Sequence, residues 1–186
     1  MRVRYATMMV CLIAVLPALA AGFSANGGEK KMSFTIKSRD FTDGGELPKR
    51  FTCEGEDLSP ELAWNGAPSG VKSFALIVDD PDAPIGTFTH WVVYDIPASF
   101  RRLGRGAGNE ALPKDGMKYG HTDFGRMGYG GPCPPKGHGR HRYYFRLTAL
   151  DVATLGLPAG ASRNEVLGAM KGHALAEAST MGVFER

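Results

Sequence analysis

The stretch Phe74-Ala75-Leu76-Ile77-Val78-Asp79-Asp80-Pro81-Asp82-Ala83-Pro84, followed five residues later by His90-Trp91-Val92-Val93-Tyr94, decides the fold. Two nearly continuous apolar runs, Ser73 to Asp79 and His90 to Ile96, read as strands at the centre of a sheet, covered on both faces. Between them Pro81 and Pro84 fix φ and stiffen a turn that carries two carboxylates. Buried strands that release polar side chains at their ends are how a scaffold builds a pocket for a small ligand. Asp80 and Asp82 are therefore candidate site residues; the competing reading is a pair of turn-forming acids that bond local backbone N–H groups.

Outward from this core, Ser33 to Lys37 alternates and reads as a first strand, and Leu62-Ala63-Trp64 as a brief second one ended by Asn65-Gly66. The turn-rich chain from Phe41 to Ser59 leaves room for at most one short strand, Lys49 to Thr52. From Pro97 to Gly139 glycine and proline dominate without any sustained period, so a functional loop or hidden short elements are expected there. Arg142 to Asp151 is a long alternating strand. Ser162-Arg163-Asn164-Glu165 matches a capping box, which predicts a helix over Asn164 to Ala174, and Glu177 to Glu185 alternates as a final strand. Strands outnumber helices, so the expected fold is mainly β, a sandwich decorated by one helix.

The first twenty residues stand apart. Arg2 and Arg4, an apolar run to Leu16 and Ala18-Leu19-Ala20 have the three parts of a signal peptide, and the run is short for a membrane span. Residues 21–32 read as a linker and 33–186 as one domain. A periplasmic or secreted protein is expected. Losing Arg2 and Arg4 takes Lys+Arg from 22 to 20 against 19 Asp+Glu, a net charge of +1. No basic stripe then argues for a nucleic-acid partner. Three cysteines become two, Cys53 and Cys133. A bridge between them would close a long loop and contribute a few kcal/mol; two free thiols is the alternative, and the Cα separation decides.

A second polar segment faces the first in the argument: Gly130-Gly131-Pro132-Cys133-Pro134-Pro135-Lys136-Gly137-His138-Gly139-Arg140-His141-Arg142-Tyr143. His141 opens a strand as His90 does; were the two strands neighbours in register, both imidazoles would open on one sheet end. Asp80, Asp82, His90 and His141 have suitable types for a metal, but no diagnostic ligand spacing. A hydrolase could pair a histidine with an aspartate, yet no serine or cysteine sits in a nucleophile motif. Gly104-x-Gly106-x-Gly108 lacks the strand–helix context of a dinucleotide site. An anion pocket of histidines, backbone N–H groups and Tyr143, with the carboxylates orienting the imidazoles, is the simplest account, and it requires neither cofactor nor metal.

These same stretches resemble the phosphatidylethanolamine-binding protein family in its bacterial, Raf-kinase-inhibitor-like branch. The matching residues are Ser59-Pro60, Leu62-Ala63-Trp64, Asp80-Pro81-Asp82-Ala83-Pro84, His90-Trp91-Val92-Val93, Asp95-Ile96-Pro97, Gly128 through Gly137 and His141-Arg142-Tyr143. The resemblance implies a β-sandwich of a large central sheet and a smaller sheet, with one anion pocket at a sheet end, lined by Asp80, Asp82, His90, Pro134, His141 and Tyr143 with backbone near Gly131 and Cys133. It implies phosphate, acetate-like anions or a phospholipid headgroup as ligands. Three departures stand out: Phe88-Thr89 where relatives often carry tryptophan, Thr122-Asp123-Phe124 where Asn-Asp-Phe is more usual, and an end at Arg186 without the extra helix of eukaryotic relatives. The functional expectation is an exported, non-catalytic binder of a small phosphorylated or carboxylated ligand. The alternative is an inhibitor or regulator of an envelope protease, or of another protein partner, acting through the rim from Gly128 to Arg142. A metal-dependent or acid–base hydrolase is the weaker third reading.

Overall fold

The structure, a computed structural model, describes Val3 and residues 33–110 and 115–186; the leader and linker expected over 1–32 lie outside the described residues apart from Val3. Among the described residues, eight strands form two antiparallel sheets. The smaller has the order β1 (Thr35–Lys37), β2 (Leu62–Asn65), β5 (Arg102–Leu103). The larger runs β6 (Lys118–Tyr119), β4 (Phe88–Pro97), β3 (Ser73–Asp80), β7 (His141–Leu150), β8 (Ala174–Phe184). The expected class, a mainly β sandwich with one helix, is the one observed.

Strand β3 lies at the centre of the larger sheet, and all eight of its residues are buried. Its alternation explains why the apolar run is continuous. Phe74, Leu76 and Val78 face the core between the sheets, with Trp64, Trp91, Val93, Phe145 and Leu147. Ala75 and Ile77 face the other way, onto a second cluster with Val92, Tyr94, Val166 and Met170 under helix α1 (Arg163–Met170). A fully buried side chain of this size contributes about 1.5–3 kcal/mol, so both layers stabilise the same strand. Strand β7 is two-sided in the simpler sense: Tyr143, Phe145 and Leu147 are buried while Arg142 and Arg146 are exposed.

Several elements differ from the sequence reading. Lys49–Phe51 is a 3-10 turn, not a strand, because Pro48 cannot continue a ladder and its carbonyl accepts from Phe51 N–H at 2.9 Å. Helix α1 carries both reciprocal bonds of the capping box between Ser162 and Glu165. It stops at Met170 rather than Ala174, since Gly172 takes φ 82° and Ala174 already pairs with Leu150 as the start of β8. The glycine-rich span after Pro97 conceals β5, β6 and a 3-10 turn at Ala107–Asn109. Two-residue strands are too short to show a period.

Candidate functional site

The centre of the site follows from the register. Strand β3 lies between β4 and β7, so His90 and His141 are not on neighbouring strands; Asp80, the last residue of β3, sits between them. The β3–β4 pairing runs Val78↔Trp91 and then Asp79↔Thr89, which leaves His90 as the extra residue of a β-bulge. Strict alternation would send His90 to the helix side with Val92. A bulge turns one side chain away from that alternation, and His90 instead packs edge-on to Tyr143, with ring centroids 5.1 Å apart.

Asp80 is buried and ties the turn to β7. Its Oδ1 accepts the backbone N–H of Asp82 at 2.8 Å, and its Oδ2 accepts His141 Nδ1–H at 2.6 Å. With Nδ1 spent on the carboxylate, a neutral His141 has Nε2 as an acceptor, and His138 Nδ1 lies 2.7 Å from it. His90 is held differently: its Nδ1–H is donated to the Gly130 carbonyl at 2.7 Å. Burial holds the His90 imidazole below its ordinary pKa, opposed by the backbone carbonyl of Gly130, the charges of Asp80 and Asp79 and the backbone of Gly131. His90 is therefore neutral at pH 7, with Nε2 as its unprotonated nitrogen.

These three side chains form one wall of a cavity of about 230 Å³. The remainder is apolar: Ala83, Pro84, Ile85, Phe88, Phe124, Pro134 and Pro135, with Cys133 beside them. Phe124 meets Phe88 and His90 edge-on at 4.8 and 5.3 Å, while Ile85 stands 85 % exposed at the lip. Cys133 is bonded to Cys53 with a Cα–Cα distance of 5.4 Å, so the Pro134–Pro135 wall is fixed to the turn at residue 53.

Three of the expected ligand residues are placed elsewhere. Asp82 does not line the cavity; it faces outward and is clasped by Arg142 through Nε, Nη2 and the backbone N–H, at 2.9, 2.7 and 2.9 Å. Those hydrogen bonds hold its carboxyl below the usual range. Gly131 donates its N–H to Asp57 at 2.7 Å, so that group is already used. Tyr143 is buried behind the wall, and its hydroxyl has no hydrogen-bond partner among the described residues. Burial first, and then the Asp80 and Asp82 charges, raise its pKa well above that of an ordinary phenol. Asp80, His90, Cys133, Pro134 and His141 are brought together. Ile85, Phe88, Phe124 and His138 are not among the expected ligand residues; His138 carries a signal as part of the histidine-bearing segment, Phe88 as a departure from the family pattern, and Phe124 only as a neighbour of the departure at Thr122.

Gly131 matters through space rather than hydrogen bonding. A Cβ there would press on the Phe51 carbonyl and come within 2.5 Å of Asp57 Oδ1. Gly131→Ala is expected to destabilise the protein by about 1–3 kcal/mol, read as a lowered denaturation midpoint; an unchanged midpoint would show that the Phe51–Asp57 segment yields freely.

Among the described residues no group of three or more His, Cys, Asp or Glu is arranged to hold a metal, and no helix is long and apolar enough to cross a membrane.

The site can be set beside known proteins. The family model described as phosphatidylethanolamine-binding protein matches residues 37–185. The UPF0098 protein of Aquifex aeolicus is 54% identical over 168 residues, covering 88% of this chain and 93% of that protein. YbhB of Escherichia coli is 44% identical over 160 residues, covering 79% of this chain and 97% of its own length. The crystal structure of E. coli YbcL, described as a new member of the mammalian PEBP family, superposes with a TM-score of 0.78 at 36% identity, over 83% of this chain and 99% of that one.

Proposed function

This chain belongs to the phosphatidylethanolamine-binding protein family, and on that premise we propose that it is a non-catalytic binder of a small organic anion, a phosphate ester or carboxylate carrying an apolar group. The observation that supports this reading is the division of the cavity: Asp80, His90 and His141 on one wall, prolines and aromatic rings around the rest. Desolvation makes a charge-assisted hydrogen bond to imidazole strong, while the apolar lining accommodates the remainder of the ligand. A phospholipid headgroup is one member of this class. The leader-like first twenty residues support an exported protein.

Calorimetric titration with phenyl phosphate and inorganic phosphate tests the proposal. Both bind, the phenyl ester more tightly because its ring lies against Phe88, Phe124 and the two prolines. His90→Ala weakens both by about tenfold or more while the melting transition stays cooperative. Absence of heat with either ligand, or unchanged affinity in the variant, overturns the reading.

The protein-partner reading draws on one feature: Lys136, His138 and Arg140 are all exposed beside the cavity. If that reading is right, a partner is lost when Lys136 to Arg140 are altered and is kept in His90→Ala.

A further inference from the structure

The geometry points to a thiol-exchange site at the Cys53–Cys133 disulfide, in which a low-molecular-weight thiol attacks Cys53 and Arg186 receives the departing Cys133 thiolate. The inference starts from an unusual arginine. Arg39, Arg50, Arg105, Arg126, Arg142, Arg146 and Arg163 each reach a carboxylate, and Arg101, Arg102 and Arg140, for which no such pair occurs among the described residues, are exposed. Arg186 is half-buried and is directed at sulfur: its Nη1 lies 3.4 Å from Cys53 Sγ and 3.1 Å from Cys133 Sγ. Its Nε is buried without an acceptor, and it has no carboxylate partner among the described residues. A partly desolvated guanidinium that no Asp or Glu side chain pairs is costly, and neutral disulfide sulfur is a weak acceptor. Opening the bond supplies the missing negative charge.

The two cysteines differ in access, which sets the direction. Cys53 is exposed and Cys133 is half-buried against the cavity. An incoming thiolate therefore forms a new S–S bond to Cys53 Sγ. The Cys53–Cys133 bond breaks, and its electron pair leaves on Cys133 Sγ, the sulfur nearer the guanidinium. A second thiolate can then attack the small-molecule sulfur of the mixed disulfide, forming the small-molecule disulfide while the electron pair leaves on Cys53 Sγ, so that two thiols are oxidised for one bond reduced. Exposure favours the attack, and a positive neighbour favours the leaving group.

The site also touches the cavity. Cys133 precedes Pro134 and Pro135 in the wall, and Gly137 N–H donates to the Arg186 carbonyl at 3.0 Å. Exchange thus removes the covalent tie between one side of the cavity and the turn at residue 53, leaving the hydrogen bond from Cys53 N–H to the Pro132 carbonyl at 3.1 Å. The exchange chemistry is independent of what the cavity holds.

The test treats the oxidised protein with excess glutathione under native conditions, quenches with iodoacetamide and maps the peptides by mass spectrometry. Glutathione is expected on Cys53, with the alkylated thiol on Cys133. Arg186→Gln slows exchange about three- to tenfold, and Arg186→Lys, which keeps the charge, restores most of the rate. An adduct on Cys133, a disulfide that opens only in denaturant, or equal rates in wild type and Arg186→Gln would overturn the inference. Mapping on the unaltered protein needs no variant to fold, so it decides the direction of attack alone.

Discussion

Replacing Asp80 with alanine is expected to produce the largest single loss of stability at the site and to remove anion binding with it. Asp80 and His141 are 3% and 1% exposed. Removing the carboxylate leaves the buried His141 Nδ1–H without its acceptor. It also frees the backbone N–H of Asp82, so the proline turn loses its inner tie. A hydrogen bond to a charged group contributes about 1.5–3 kcal/mol, so losing these two costs about 3–6 kcal/mol. For a domain of this size that lowers the melting temperature by roughly 6–24 °C. Asp80→Asn separates the two consequences, because its amide oxygen still accepts from His141 while the charge is gone. That variant should retain most of the stability. Measured by thermal unfolding, an Asp80→Ala protein melting within about 1 °C of wild type would mean that the Asp80–His141 contact carries nothing.

How far this site was legible in the sequence depends on which interactions are local. The apolar runs before and after the Asp-Pro-Asp turn identify β3 and β4, because a strand covered on both faces has no polar face to interrupt its pattern. The capping box at Ser162 was legible for a similar reason: donor and acceptor are three residues apart. Asp82 was not. Spaced two from Asp80, it has the same residue type and the same turn, and only the arrival of Arg142 from β7, sixty positions later, decides that it faces outward. His90 shows the same limit more sharply. Its identity and strand were readable, but alternation alone would have sent it to the helix side. The bulge that turns it exists only in the register between β3 and β4. Likewise, Asp80 reaches His141 because β3 lies between β4 and β7, an ordering that a list of strands does not contain. The apolar lining was legible at Ala83, Pro84, Pro134 and Pro135, which lie in the quoted stretches, but not at Ile85 before β4, at Phe88 where β4 begins or at Phe124 after β6, which no motif joins.

The affinity of the cavity for an anion should rise as the pH falls, and His90 should be the cause. In the free protein, burial keeps His90 below its ordinary value of roughly 6.5, so the ring enters the neutral range neutral. Its single proton sits on Nδ1, donated to Gly130, and Nε2 presents a lone pair that repels an anionic oxygen. Binding an anion beside Nε2 favours the imidazolium, which can donate there, so His90 takes up a proton on binding. Between its values in the free and bound states, affinity then rises by up to about tenfold for each pH unit of acidification. It levels off once the pH is below the free-state value, where the ring is already charged. The stability of the unliganded protein moves oppositely. Because the native value is depressed, the unfolded chain protonates first; this contribution is intact above about 6.5 and is lost as the pH falls through the native value of His90. Phenyl sulfate is the suitable probe, since it remains a monoanion throughout. Calorimetry in buffers of different ionisation enthalpy should report proton uptake approaching one near the steepest part of the curve. Asp79, Asp80, His138 and His141 also lie close to the ring or to its neighbours, so the decisive comparison is His90→Gln, which keeps a side-chain amide able to reach Gly130 but cannot titrate. If the variant keeps the wild-type pH slope, the proton belongs to the Asp80–His141–His138 chain and not to His90.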